Sequence, residues 1–143
     1  MQQATAIRPE ALFEIDRATE VNSQRPAVEG HVPRAMTDSR AVEWCDCLID
    51  ITAALFNVSG KELRRPGRST LDVTRVRQIA MYVGHVVLRL TMSDVGRGFG
   101  RDRTTVLYAC HLVEDMRDDA DFDRIVAMME RVAGAAFRER GTI

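Results

Sequence analysis

Four consecutive residues, Asp102-Arg103-Thr104-Thr105, carry side chains suited to reading the edge of a base. An arginine matches the O6 and N7 acceptors of guanine with two parallel donors, and a threonine offers its hydroxyl to a base or its methyl to thymine. They follow Gly100-Arg101, which reads as a tight turn, and before that a short segment, Thr91 to Phe99, of about two helical turns. Short helix, glycine turn and second helix is the layout of a helix-turn-helix, whose second helix lies in the major groove with its first residues toward the bases. The capped start of an ordinary helical hairpin uses the same residue types, so the pattern alone leaves that alternative open. Asp102 is expected to accept from the free N–H groups that open the second helix. Gly96-x-Gly98-x-Gly100 fits a tight turn better than a dinucleotide loop, because no strand precedes it.

Charge supports a polyanion partner. The net charge of −1 over 143 residues hides three blocks. Residues 1–60 hold five arginines against nine carboxylates, and residues 112–143 hold five against eight. Between them, residues 61–111 hold Lys61 and nine arginines against four acids, a local balance of +6. A biased genome explains 19 arginines beside one lysine, but not their clustering. A basic block between acidic flanks is an electrostatic footprint for nucleic acid.

Other chemistries find little support. The longest run without a charge, Gln78 to Leu88, falls far short of the ~20 apolar residues of a membrane span. The first residues, MQQATAIRPEALFEID, lack the layout of a secretory signal. Three cysteines without framework spacing suit a reducing cytoplasm. Cys45, Cys47 and Cys110 with His31, His85 and His111 make no metal-ligand spacing, so neither metal nor cofactor is expected. The Gly60-Lys61 pair has Leu55 where a phosphate loop needs its first glycine. No nucleophile–base pairing is suggested, and the chain reads as a non-enzyme.

The elements that must position the tetrapeptide are helical. Residues 1–36, punctuated by Pro9, Pro26, Gly30 and Pro33, read as a flexible arm with one amphipathic piece at Leu12-Phe13-Ile15. From Thr37 the apolar residues Val42, Cys45, Leu48, Ile49, Thr52, Leu55 and Phe56 recur at helical steps, with Trp44 off that stripe. A short turn from Ser59 leads into the basic loop Arg64-Arg65-Pro66-Gly67-Arg68. A long helix is expected from about Val73 to Leu90, with its stripe on Val76, Ile79, Ala80, Val83, Val86, Val87 and Leu90. After the short helix and turn, a helix from Arg103 to Met116 should bury Val106, Leu107, Cys110 and Val113. A last one from Asp121 to Arg138 should bury Phe122, Ile125, Val126, Met129, Val132, Ala133 and Phe137. No segment alternates as a strand does, so the fold class is an all-α bundle.

The segment Arg75-Val76-Arg77-Gln78-Ile79-Ala80-Met81, followed by Asp94-Val95-Gly96 and Phe99-Gly100-Arg101-Asp102-Arg103-Thr104-Thr105-Val106-Leu107 with Ala109-Cys110, resembles the C-terminal DNA-binding domain of the bacterial replication initiator DnaA. The resemblance covers about residues 50–132 and implies a helix-turn-helix head, here residues 37–143, standing alone without the ATP-driven module. It implies that double-stranded DNA is the partner, read by a recognition helix in the major groove and a loop arginine in the minor groove. Asp102, Thr104 and Thr105 stand where the family has its base-reading and phosphate-holding set. Arg77 and Gln78 match a backbone clamp, Arg68 is the candidate minor-groove residue, and Arg64, Arg65, Arg75 and Arg101 complete the basic surface. Arg103 replaces the family's histidine, Ser69 and Leu71 stand where it is usually basic, and one glycine replaces two before Arg101.

Those departures point away from the usual initiator box. The expected function is a cytoplasmic, nucleoid-associated transcription regulator, an activator. Similar stand-alone heads occur among alphaproteobacterial and phage-derived regulators, including activators of gene transfer agents. RNA polymerase or another regulator is the candidate partner of the arm. The alternatives are a replication modulator that competes for initiator boxes and a protein-interaction adaptor.

Overall fold

A computed structural model describes residues 38–138; the arm, and with it the boundary at residue 36, lies outside the described residues. Six helices occupy the described span: α1 (Asp38–Phe56), α2 (Gly60–Arg64), α3 (Leu71–Val86), α4 (Met92–Phe99), α5 (Arg103–Met116) and α6 (Ala120–Arg138). The described chain is all-α, as the periodicity requires.

Helix α3 runs through the middle. Every residue from Arg77 to Gly84 is buried, so it is enclosed on more sides than its apolar stripe predicts. It begins at Leu71, where the Thr70 hydroxyl accepts from the Val73 N–H, and it ends at Val86 rather than Leu90. The stop is conformational: Arg89 adopts a left-handed φ of 57°, and His85 Nδ1 donates to the Leu90 carbonyl at 2.9 Å. Consequently Val86, expected inside, is exposed.

Helices α1, α2, α4, α5 and α6 all pack against α3, and α1 also packs closely on α4. Leu48, Ile49, Ile79, Val83, Val95, Val106, Val113, Val126, Met129 and Phe137 form the core. Helices α1 and α4 cross so closely that a Cβ on Gly98 would collide with Cys45. Burial pushes the Cys45 thiol up to about 12, so it behaves as a core side chain. Trp44, placed off the stripe by its spacing, is buried against Phe137 with ring centroids 5.4 Å apart. Leu55 and Ile125 are exposed, contrary to the stripes that include them. Helix α6 opens at Ala120, capped by Asp119 Oδ1, which accepts from the N–H groups of Asp121 and Phe122. Among the described residues, no helix is long and apolar enough to cross a membrane.

Candidate nucleic-acid interface

The turn between α4 and α5 is built by its backbone. Thr91 opens α4 by accepting from the Asp94 N–H at 3.1 Å. Gly100 closes it in the left-handed region at φ 65°, its N–H bonded to Arg97 and Gly96 carbonyls. The Arg101 N–H then donates to the Gly96 carbonyl at 2.8 Å. A Cβ on Gly96 would lie 2.6 Å from the Arg101 carbonyl, closer than real contacts permit. One glycine in the αL position and one under the turn therefore suffice for a tight helix-turn-helix.

Helix α5 turns Val106, Ala109, Cys110 and Val113 into the core. Leu107, expected there, is half-buried, and Ala109 takes the inner position. Asp102, Arg103, Thr104 and Thr105 are all exposed. Asp102 occupies the N-cap position, but its side chain makes no capping bond, which corrects the expectation that it would accept from the helix. Its carbonyl does the ordinary work, accepting from the Val106 N–H at 3.2 Å. The first turn of α5 thus presents unpaired N–H groups, a positive helix end and an uncommitted carboxylate on one surface.

The basic loop after α2 is pinned from two sides. Arg77, only 5% exposed, donates through Nε to the Leu63 carbonyl at 2.9 Å. Its Nη2 donates to the Glu62 carbonyl at 2.9 Å and to Ser69 Oγ at 2.8 Å. Arg101 reaches across from the helix-turn-helix turn, and its Nη2 donates to the Arg65 carbonyl at 2.7 Å. Gln78 is buried and accepts from Arg75 Nη1 at 3.0 Å. Burial pulls the Arg77 guanidinium below its usual pKa, and the neighbouring Arg101 charge pulls the same way. Burial likewise lowers Arg75.

These side chains surround a cavity of about 300 Å³ between the loop, α3 and α5. Arg68, Arg77, Gln78, Arg101 and Thr105 line it together, and Arg101 Nε is buried there without a partner. Ser69, noted in the sequence only as a departure from the usual basic residue, also lines it, as does Thr74, which sequence reasoning missed. The i, i+4 spacing of Thr74 and Gln78 on α3 was the signal that could have found Thr74.

The remaining candidates divide. Arg64 faces α1, with Nη2 3.2 Å from Asp50 Oδ1 and Nε 3.5 Å from Asp46 Oδ1. Arg65 lies 3.6 Å from Glu62 Oε1, and both groups are largely solvated. Arg68 and Arg103 are exposed and make no hydrogen bond or ion pair among the described residues. Among the described residues no group of His, Cys, Asp and Glu is placed to hold a metal.

Residues 45–113 match the family model described as the bacterial DnaA protein helix-turn-helix. A chromosomal replication initiator protein DnaA from Mycobacteroides abscessus is 42% identical over 62 residues, which is 43% of this chain and 12% of that protein. The fold is similar to a solved replication initiator DnaA bound to AMPPCP and single-stranded DNA, at a TM-score of 0.61 and 20% identity, covering 91% of this chain and 42% of that one.

Proposed function

We propose that this chain, whose residues 45–113 belong to the bacterial DnaA helix-turn-helix family, is a non-enzymatic, sequence-specific double-stranded DNA-binding protein that regulates transcription. The observation that carries the reading is that two exposed elements flank one cavity, which Arg68 of the loop and Thr105 of α5 line together. The first turn of α5 offers Asp102, Arg103, Thr104 and Thr105 to base edges, and the pinned loop beside it offers Arg68. In this reading Arg68 enters the minor groove and Arg65 and Arg75 face phosphates, while Arg64, expected on the basic surface, is turned instead toward Asp46 and Asp50 of α1. Gln78 supports Arg75, while Arg77 and Arg101 hold the loop in place through their carbonyl contacts.

The regulator works in the cytoplasm as an activator, with the reading head in residues 37–143 and a contact to RNA polymerase or another regulator through residues 1–36. The departures at Arg103 and at the shortened turn favour a site other than the initiator box. A replication modulator is the second reading, favoured by the 42% identity to an initiator.

Genome-wide occupancy of the tagged protein separates the two. Promoter peaks support the regulator, and peaks confined to the origin support the modulator. On short duplexes, neutralising about four phosphates gives a slope of log affinity against log salt near −4. A flat salt response, or no duplex binding at low salt, overturns both. Deleting residues 1–36 should leave duplex affinity intact and lower reporter output; unchanged output removes the arm from the mechanism.

A further inference from the structure

At the far end of α5, away from the tetrapeptide, a polar network joins three helices. The Tyr82 hydroxyl on α3 donates to Glu114 Oε2 on α5 at 2.7 Å. Arg117, which closes α5 as its C-cap, donates through Nη1 to the same tyrosine oxygen at 3.2 Å. Its Nε meets Asp123 Oδ1 at 2.6 Å, and Nη1 meets Glu130 Oε1 at 2.7 Å, both carboxylates lying on α6. The guanidinium also sits over the Tyr82 ring, 5.8 Å from its centroid. With its side chain 21% exposed, Arg117 is held on several sides at once.

We propose that Arg117 and Tyr82 are positioning residues that set the angle of α5, and through it the placement of Arg103, Thr104 and Thr105 on DNA. The proposal rests on the reading of α5 as the recognition helix. Its physical basis is leverage. The buried residues Val106, Ala109, Cys110 and Val113 hold α5 against the core along one apolar stripe. Side-chain packing along such a stripe sets a crossing angle only to within about 15–20°, which leaves the finer tilt to be fixed by other contacts. Hydrogen bonds are directional, and the network supplies them at one end of the helix, to two different neighbours.

From Arg103 to Arg117 the helix spans about 20 Å at 1.5 Å per residue, so a tilt of about 5° at the network moves the other end by nearly 2 Å. That displacement breaks a base contact whose donor and acceptor must lie about 3 Å apart. It hardly disturbs non-specific attraction to phosphates. Arg117 also lies beyond a Debye length of about 10 Å from the reading end, so its own charge contributes little to DNA affinity there.

The test compares the full chain with Arg117→Met, which removes the whole fork, and Tyr82→Phe, which removes one hydroxyl and keeps the ring. Binding is measured on the duplex selected as best and on a random duplex, across salt. Arg117→Met should weaken the selected duplex by about five- to 150-fold, the worth of one base contact, with Tyr82→Phe intermediate. Random-duplex affinity should stay within about twofold and the salt slope should not change. In the DNA-free protein, amide resonances of Arg103, Thr104 and Thr105 should shift in both variants.

Equal losses on both duplexes, or unmoved resonances at residues 103–105 in Tyr82→Phe, overturn the proposal while leaving DNA reading intact. A wild-type chain that binds no duplex overturns the DNA reading instead. The DNA-free resonances then still decide whether the network places the first turn of α5.

Discussion

The Nε of Arg77 donates to the Leu63 carbonyl at 2.9 Å, so a buried arginine of α3 closes the end of a helix that lies 14 residues earlier in the chain. The same guanidinium takes the Glu62 carbonyl and Ser69 Oγ, which bracket the basic loop. Resemblance implied that Arg77 clamps the DNA backbone, and the geometry gives it a share in shaping the protein itself. Its fork is filled from one side by acceptors that a lysine cannot match in number or plane.

Arg77 and Arg68 should therefore fail differently. Arg77→Met should cost about 1.5–3 kcal/mol of stability for each charged hydrogen bond not replaced by water, and should lower affinity for every duplex through loss of the loop's shape. Arg68→Ala, at an exposed position, should leave stability within about 0.5 kcal/mol and make the salt slope shallower by about 0.9. Urea melts beside salt titrations read the contrast. An Arg77→Met protein of full stability would refute the loop-tie role.

Gly96 tests the turn. Alanine there brings a methyl to within 2.6 Å of the Arg101 carbonyl, which is backbone and cannot swing aside. Gly96→Ala should cost about 1–3 kcal/mol as an overpacking change and should displace the start of α5. Specific DNA binding should fall further than the melt alone accounts for. A variant with wild-type stability and selectivity would mean the turn relaxes freely.

How much of this was legible in the sequence depends on the kind of signal. Apolar steps of three and four located α1, α3, α5 and α6, because one buried face leaves a period, whereas α2 read only as a short turn and α4 only as a short segment before the glycine turn. Boundaries set by single conformations were hidden: Arg89 stops α3 by a left-handed φ that no residue-type rule assigns to arginine. Residues 102–105 are each exposed, which their polar types and place at a helix start made legible. The partners of Arg64, Arg77 and Arg101 were not legible, since an arginine reads as a surface cation until its acceptors are located. Asp102 looked like a cap and its carboxylate is uncommitted, because capping depends on a rotamer that residue identity does not fix.

Leu71 is 73% exposed at the first position of α3. It lies one helical turn from Thr74 and Arg75, on the side that borders the cavity, and the resemblance expects a basic residue there. Leu71→Arg should steepen the salt slope by about 0.9 and tighten binding to any duplex at low salt. A cation at a helix N-terminus opposes the helix dipole, so stability should drop by about 0.3–1 kcal/mol. Tighter binding only to the selected duplex would instead assign position 71 to base reading.

Arg103 is where the chain departs, in the first turn of α5, from the DnaA sequences it resembles. It is exposed, makes no hydrogen bond or ion pair among the described residues, and sits at the positive end of its helix. A cation there is mildly unfavourable in the free protein. Arg103→Ala should leave stability equal or slightly higher. A guanidinium held at the mouth of the major groove matches guanine O6 and N7, and losing it should cost about 1–3 kcal/mol on the selected site and much less on random duplex. Selection from a randomised library should then show relaxed preference at one G·C pair, with Thr104→Ala relaxing a neighbouring position. Arg103→His introduces the residue usual in the DnaA sequences it resembles and should move the selected motif toward the initiator box, provided the shorter turn docks α5 at the same depth. Equal losses on selected and random DNA, with an unchanged motif, would make Arg103 a phosphate contact and leave base reading to Asp102, Thr104 and Thr105.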